Sequence, residues 1–202
     1  MKRLILILAL VCALPLQAYA ASRSEQQAQI QKMRYDVLNK LYKAEPGSQQ
    51  EISSAYGYAV FSSANLTAFF LTAAYGYGIA HDNRTGGETY MQMASGGLGI
   101  GLGAKDFRVI FIFANKGAYN TFIDQGLDFS GQADAAAKAG AKGGAISGAE
   151  DVRPGVRVYQ VTETGLALQL TLQGTKYWKD GYLNGSGADP VKPRTSGGGA
   201  ND

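Results

Sequence analysis

The sequence predicts an α+β protein: an antiparallel, strongly curved or barrel-like β-sheet with an N-terminal helix and packed small-residue helical segments. Residues 24–43 carry Ile30, Met33, Val37 and Leu41, with Leu38 and Tyr42, at helical spacing. Residues 56–114 switch to strand patterning broken by short turn segments, of which Asp82-Asn83-Arg84-Thr85-Gly86-Gly87 is the clearest. Short connections favour antiparallel neighbours, because a parallel crossover takes about a dozen residues or more.

The chain opens with Lys2 and Arg3, an apolar stretch over residues 4–16, and Ala18-Tyr19-Ala20. These are the basic, hydrophobic and small-residue regions of a secretory signal peptide, so residues 1–20 are expected to be removed near Ala20. The expected location is periplasmic or secreted. The single cysteine, Cys12, leaves with that segment, so disulfides, thiolate metal sites and a cysteine nucleophile drop out of the mature chemistry. Loss of Lys2 and Arg3 takes the formal charge from +3 to +1, too little for a nonspecific polyanion binder, and nucleic acid is not an expected partner. Beyond residue 20 no apolar run reaches the length of about 20 residues that a spanning helix needs.

Residues 21–184 are expected to form one domain. Its first helix, residues 24–43, has Ser24 as the expected N-cap and Pro46-Gly47 as its stop. The glutamine-rich opposite face is only lightly basic, which favours a helix covering a core over one lying on a membrane. Strands are expected at 58–61, 66–80, 88–94, 97–104 and 107–114. In the last of these Val109, Phe111 and Phe113 share one face and Ile110 and Ile112 the other, the pattern of a strand covered on both sides. A short helix is expected at 116–125. Residues 132–149 place Ala133, Ala137, Ala141, Ala145 and Ala149 four apart beside Gly140, Gly144 and Gly148, a face that admits close helix packing at about 1 kcal/mol of helix propensity per glycine. Strands follow at 156–162 and at 165–173, the second alternating leucine with smaller or polar residues, and then a helix or turn at 176–183 carrying Trp178. Residues 185–202, rich in glycine and serine, read as a disordered tail.

The run Gly97-Leu98-Gly99-Ile100-Gly101-Leu102-Gly103-Ala104 has strand periodicity with one face stripped to backbone. Glycine weakens a strand, so such a face makes sense where another backbone, a ring or a ligand comes unusually close. A dinucleotide loop is excluded by context: it must open a helix, and residues 107–113 read as another strand. Two occupants fit the bare face, an acyl chain or a core helix such as residues 133–149, and the residues alone leave both open.

Catalytic chemistry is sparse. His81, the only histidine, lies beside Asp82 in an expected turn with no second histidine or cysteine to make it a ligand. Glu150-Asp151 reads as a solvated loop pair before Arg153-Pro154. No nucleophile elbow, zinc spacing or P-loop is present, so no metal, cofactor or catalytic residue is expected.

The order of segments is itself informative. Ala55-Tyr56-Gly57-Tyr58-Ala59-Val60-Phe61, the glycine strand, residues 106–113 leading into Asn115-Lys116-Gly117-Ala118-Tyr119-Asn120-Thr121-Phe122, the 133–144 segment and residues 165–174 together resemble the SYLF lipid-binding domain family, over residues 30–184. The resemblance implies a noncatalytic domain that binds phospholipid. Here Thr162-Glu163-Thr164-Gly165 puts an acid where the family pattern has a lysine, and Tyr177-Trp178-Lys179-Asp180-Gly181-Tyr182 departs from the family's usual turn.

The expected function is therefore phospholipid or membrane-surface binding in the bacterial cell envelope. Gly97, Gly99, Gly101 and Gly103 are the expected sites of close approach, and Lys105, Arg108 and Lys116 the phosphate partners. The alternative is an envelope protein–protein interaction or structural module without a lipid ligand. An outer-membrane barrel is disfavoured because most strands are shorter than about ten residues and no final amphipathic strand closes the chain.

Overall fold

The computed structural model describes residues 21–68, 71–98, 107–129, 149–162, 165–166 and 174–186. Helix α1 is Arg23–Ala44. Its N-cap is Ser22, two residues before the expected Ser24: Ser22 Oγ accepts from Glu25 N at 3.3 Å while the Ser22 amide donates to Glu25 Oε2 at 2.7 Å. This reciprocal capping box satisfies two otherwise orphaned donors, which a cap at Ser24 does not. Pro46 does end the helix, but it also starts another, α2 (Gly47–Ser54).

Strands β1 (Gly57–Ala68) and β2 (Leu71–Asp82) form a hairpin in register from Gly57↔Asp82 to Ala68↔Leu71. The single strand expected over 66–80 is thus two, with the chain reversing between Ala68 and Leu71. His81 belongs to β2, and the turn begins after it. Strand β3 (Glu88–Leu98) is continuous through the boundary expected between 88–94 and the glycine strand, and Gly97 pairs with Thr72. Gly99, Gly101, Gly103 and Lys105 lie outside the described residues.

Strand β4 (Phe107–Phe113) leads into α3 (Lys116–Gln125), the helix expected there, capped by Asn115 Oδ1 accepting from Ala118 N at 2.9 Å. Strand β5 is Leu127–Asp128, β6 Ala149–Arg153, β7 Val156–Thr162, β8 Gly165–Leu166 and β9 Thr175–Lys179. Three expectations change here. Ala149, assigned to a helix, pairs with Tyr159 in β6, and Glu150 and Asp151 are strand residues of that hairpin. Trp178 stands on a strand because β9 finds hydrogen-bond partners on β3, more than 80 residues earlier in the chain. Gly185 and Ser186, expected in the tail, close a turn through bonds to Tyr182 O and Gly181 O, and residues 187–202 lie outside the described residues. The small-residue segment 132–148 lies outside the described residues.

The nine strands among the described residues form one strongly curved antiparallel sheet, ordered β5-β9-β3-β2-β1-β4-β7-β6 with β8 on β7. As the alternation in β4 predicts, both faces are covered. One face holds Phe61, Phe111, Phe113, Met91, Met93, Val158 and Tyr177, closed by Tyr119 and Phe122 of α3 and by Phe129. The other receives α1: Val37, Leu38 and Leu41 pack on Val60, Ile110, Tyr159 and Val161, and Ile30 packs on Ile79. Each such aliphatic side chain contributes about 1.5–3 kcal/mol on leaving water.

Candidate functional site

Helix α1 covers only part of its face of the sheet. Following the register, Tyr159, Ile110, Val60, Ile79 and Tyr90 form one cross-strand row beneath the helix. Two residues further along the strands the same face presents Arg108, Ser62, Tyr77, Gln92 and Trp178, again directly opposite one another. The row beyond that brings Tyr75 opposite Ala94, and Ala94 opposite Lys176. Because side chains two apart along a strand share a face, helix cover stops between Ile79 and Tyr77.

The consequence is two exposed rings on a regular strand. Tyr75 is 66% and Tyr77 45% exposed, although their strand neighbours Gly78, Ile79 and Ala80 are buried. Between these rings and α1 runs a groove of about 360 Å³, with Gln26, Gln29 and Ile30 on the helix side and Trp178, Asp180 and Leu183 on the other. Gln92 is held there by donating Nε2 to Asp180 Oδ2 at 2.6 Å. Asp180 Oδ1 also accepts from Leu183 N at 2.8 Å, which anchors the turn after β9.

The glycines of β2 show what a bare strand face does in this fold. A Cβ at Gly78 would fall 2.3 Å from Phe61 Cδ1, and one at Gly76 would fall 2.3 Å from Ser62 O and 2.9 Å from Met93 Cγ. Tyr75-Gly76-Tyr77-Gly78 therefore turns its glycines to the core and its tyrosines to solvent. Gly97, on the same strand-face parity as Met91 and Met93, falls on the core side of β3.

The two expected cations among the described residues, Arg108 and Lys116, do not converge. Arg108 belongs to the aromatic row, two strands from Tyr77, or about 10 Å at normal strand spacing. Lys116 starts α3 beyond the opposite end of β4, at least about 17 Å along the strand from Arg108. The residues that sequence reasoning missed are Tyr75, Tyr77 and Trp178. The alternation of tyrosine with glycine over 75–78 was a signal for the first two.

His81 lies under the helix. Its Nδ1 is 3.7 Å from Glu88 Oε1, and its ring is 5.2 Å from that of Tyr58. Glu88 also accepts from Arg34 Nη1 at 2.7 Å and from Gln31 Nε2. Burial first, and then the Arg34 guanidinium, hold the imidazole pKa below its ordinary value. The cluster pins α1 to the sheet. A second groove, about 840 Å³, lies between α2 and the β6–β7 turn; there Arg157 pairs with Glu51 at 3.1 Å and with Asp151 at 3.2 Å, while Arg153 donates to Asp128 O at 3.4 Å. Among the described residues no group of three or more His, Cys, Asp or Glu side chains is placed to hold a metal ion, and no helix is long and apolar enough to cross a membrane.

No family model matches the chain. Over 156 residues it is 31% identical to beta cell expansion factor A of Aeromonas veronii, an alignment that takes in 77% of this chain and 58% of that protein. The chain thus spans less than two thirds of that relative's length.

Proposed function

We propose that this protein is a noncatalytic, exported domain that docks on phospholipid membrane surfaces of the cell envelope through the row containing Tyr77. One observation carries the reading: two tyrosines stand exposed on a regular strand where helix cover ends, and one of them, Tyr77, is in line with Trp178 and Arg108. Tyrosine and tryptophan favour the boundary between hydrocarbon and water, because an apolar ring and a polar edge are both satisfied there. Arg108 stands two strands from Tyr77 in the same row, about 10 Å between backbones, and a cation in that row suits the phosphate level of such a boundary. The resemblance of residues 30–184 to the SYLF family supports the same ligand class, and the opening basic and apolar segment supports export.

The glycine run enters this reading differently from its first expectation. At Gly76 and Gly78 the bare face admits core side chains, which favours core packing over acyl-chain contact for Gly97 as well. The docking surface is then the opposite, aromatic face.

Cosedimentation with anionic and zwitterionic vesicles at several salt concentrations tests the proposal. Docking through the aromatic row predicts binding to both kinds, with a modest salt-sensitive gain on the anionic ones from Arg108. Protein left in the supernatant with every vesicle at low salt removes the reading and leaves a protein–protein surface in its place.

A further inference from the structure

The groove beside Tyr75 and Tyr77 selects a headgroup, an inference that rests on the surface-docking reading above. Tyr75, Tyr77 and Trp178 supply aromatic surface, while Gln29, Gln92 and Asp180 supply the polar groups. Among the described residues no lysine or arginine lines it. Asp180 is only 6% exposed, and each of its oxygens already accepts one hydrogen bond, from Gln92 or from Leu183 N. A carboxylate oxygen has a second acceptor position, so Asp180 can still take donors from a ligand.

That set is wrong for phosphate and right for a polyol. An anion entering the groove would meet a carboxylate with no compensating cation in the lining. A hydroxylated ring instead lays its C–H face on an aromatic side chain, donates O–H to the carboxylate and exchanges hydrogen bonds with the amides. A volume of about 360 Å³ lies in the range of small-ligand sites and holds one such ring. We propose that the groove binds a neutral hexopyranose-type headgroup, so that the domain prefers a membrane surface bearing glycolipid over one of phospholipid alone.

Trp178 is the only tryptophan in the chain, so its emission reports on the groove directly. The full-length protein is mixed with phosphatidylcholine vesicles, with the same vesicles doped with a monoglucosyl diglyceride or with phosphatidylglycerol, and with methyl glucoside in solution. Glucosyl-doped vesicles are expected to bind about tenfold more tightly than plain ones, the factor supplied by one added hydrogen bond to a charged group, and to shift the emission. Gln29→Ala, on the exposed side of α1 and outside the docking row, checked for unaltered circular dichroism, is expected to lose that preference while still binding plain vesicles.

Equal binding to all three vesicles, with the same emission on each, overturns the headgroup proposal and leaves surface docking standing. An emission shift with methyl glucoside but not with glucosyl-doped vesicles overturns the lipid source. Failure to bind any vesicle overturns the docking reading, and the headgroup with it.

Discussion

Gly78 on β2 lies directly under the ring of Phe61 on β1, where a Cβ would come within 2.3 Å of Phe61 Cδ1 and 2.5 Å of Val60 O. The ring cannot yield easily, because it packs edge-on against Phe111, Phe122 and Tyr177. Gly78→Ala is therefore expected to cost about 1–3 kcal/mol, the usual range for overpacking a filled core, seen as a lower denaturation midpoint at unchanged m-value. An alanine variant as stable as the wild type would mean that the sheet spacing at Gly78 is looser than the geometry requires.

The seat of α1 makes stability depend on pH in a defined window. The groups facing His81 are Arg34 from α1, Tyr58 from β1, Glu88 from β3 and its neighbour Asp82. Its pKa is lowered on folding, so the unfolded chain binds the proton more tightly, and stability falls as pH drops below the unfolded value of about 6.5. Because His81 is the only histidine, His81→Gln is expected to flatten the dependence between pH 7 and the onset of carboxylate titration. Urea midpoints of both proteins measured across that interval check this, and parallel curves would contradict it.

The capping box at Ser22 predicts a smaller, local effect. Ser22→Ala removes the hydroxyl that accepts from Glu25 N and should cost about 1 kcal/mol, or about 2–4 °C in Tm for a chain of this size. Ser24→Ala, at the cap that patterning favoured, should leave Tm within error. A calorimetric comparison of the two variants separates the caps.

Much of the fold was legible because its signals are local. The two-faced alternation over Val109 to Phe113 foretold a strand buried on both sides, and the α3 boundaries follow from Asn115 capping one end and Gly126, at φ +74°, closing the other. What failed was long-range. Residues 176–183 read as helix or turn because nothing nearby shows that β3 offers the first of them hydrogen-bond partners. The site failed for a related reason: alternation says that Tyr75 and Tyr77 share a face with Ile79, but only the placement of α1 shows that Ile79 is covered and Tyr77 is not. Among the described strand glycines, crowded faces occur at Gly57, Gly76 and Gly78, while Gly99, Gly101 and Gly103 lie outside the described residues.

The exposed tyrosines allow docking to be separated from folding. Tyr75→Ser combined with Tyr77→Ser should change stability by no more than about 1 kcal/mol, each being a surface substitution worth about 0.5 kcal/mol or less. The same double variant is expected to lose most vesicle cosedimentation. Retained binding with both rings gone would move the docking surface elsewhere.

Depth of insertion reads the central claim most directly. Trp178, the only tryptophan, shares the cross-strand row of Tyr77, so vesicles of phosphatidylcholine brominated at successive acyl positions should quench its emission, most strongly from the bromines nearest the headgroup. Emission that stays unquenched while the protein is demonstrably on the vesicles would show that another face meets the membrane.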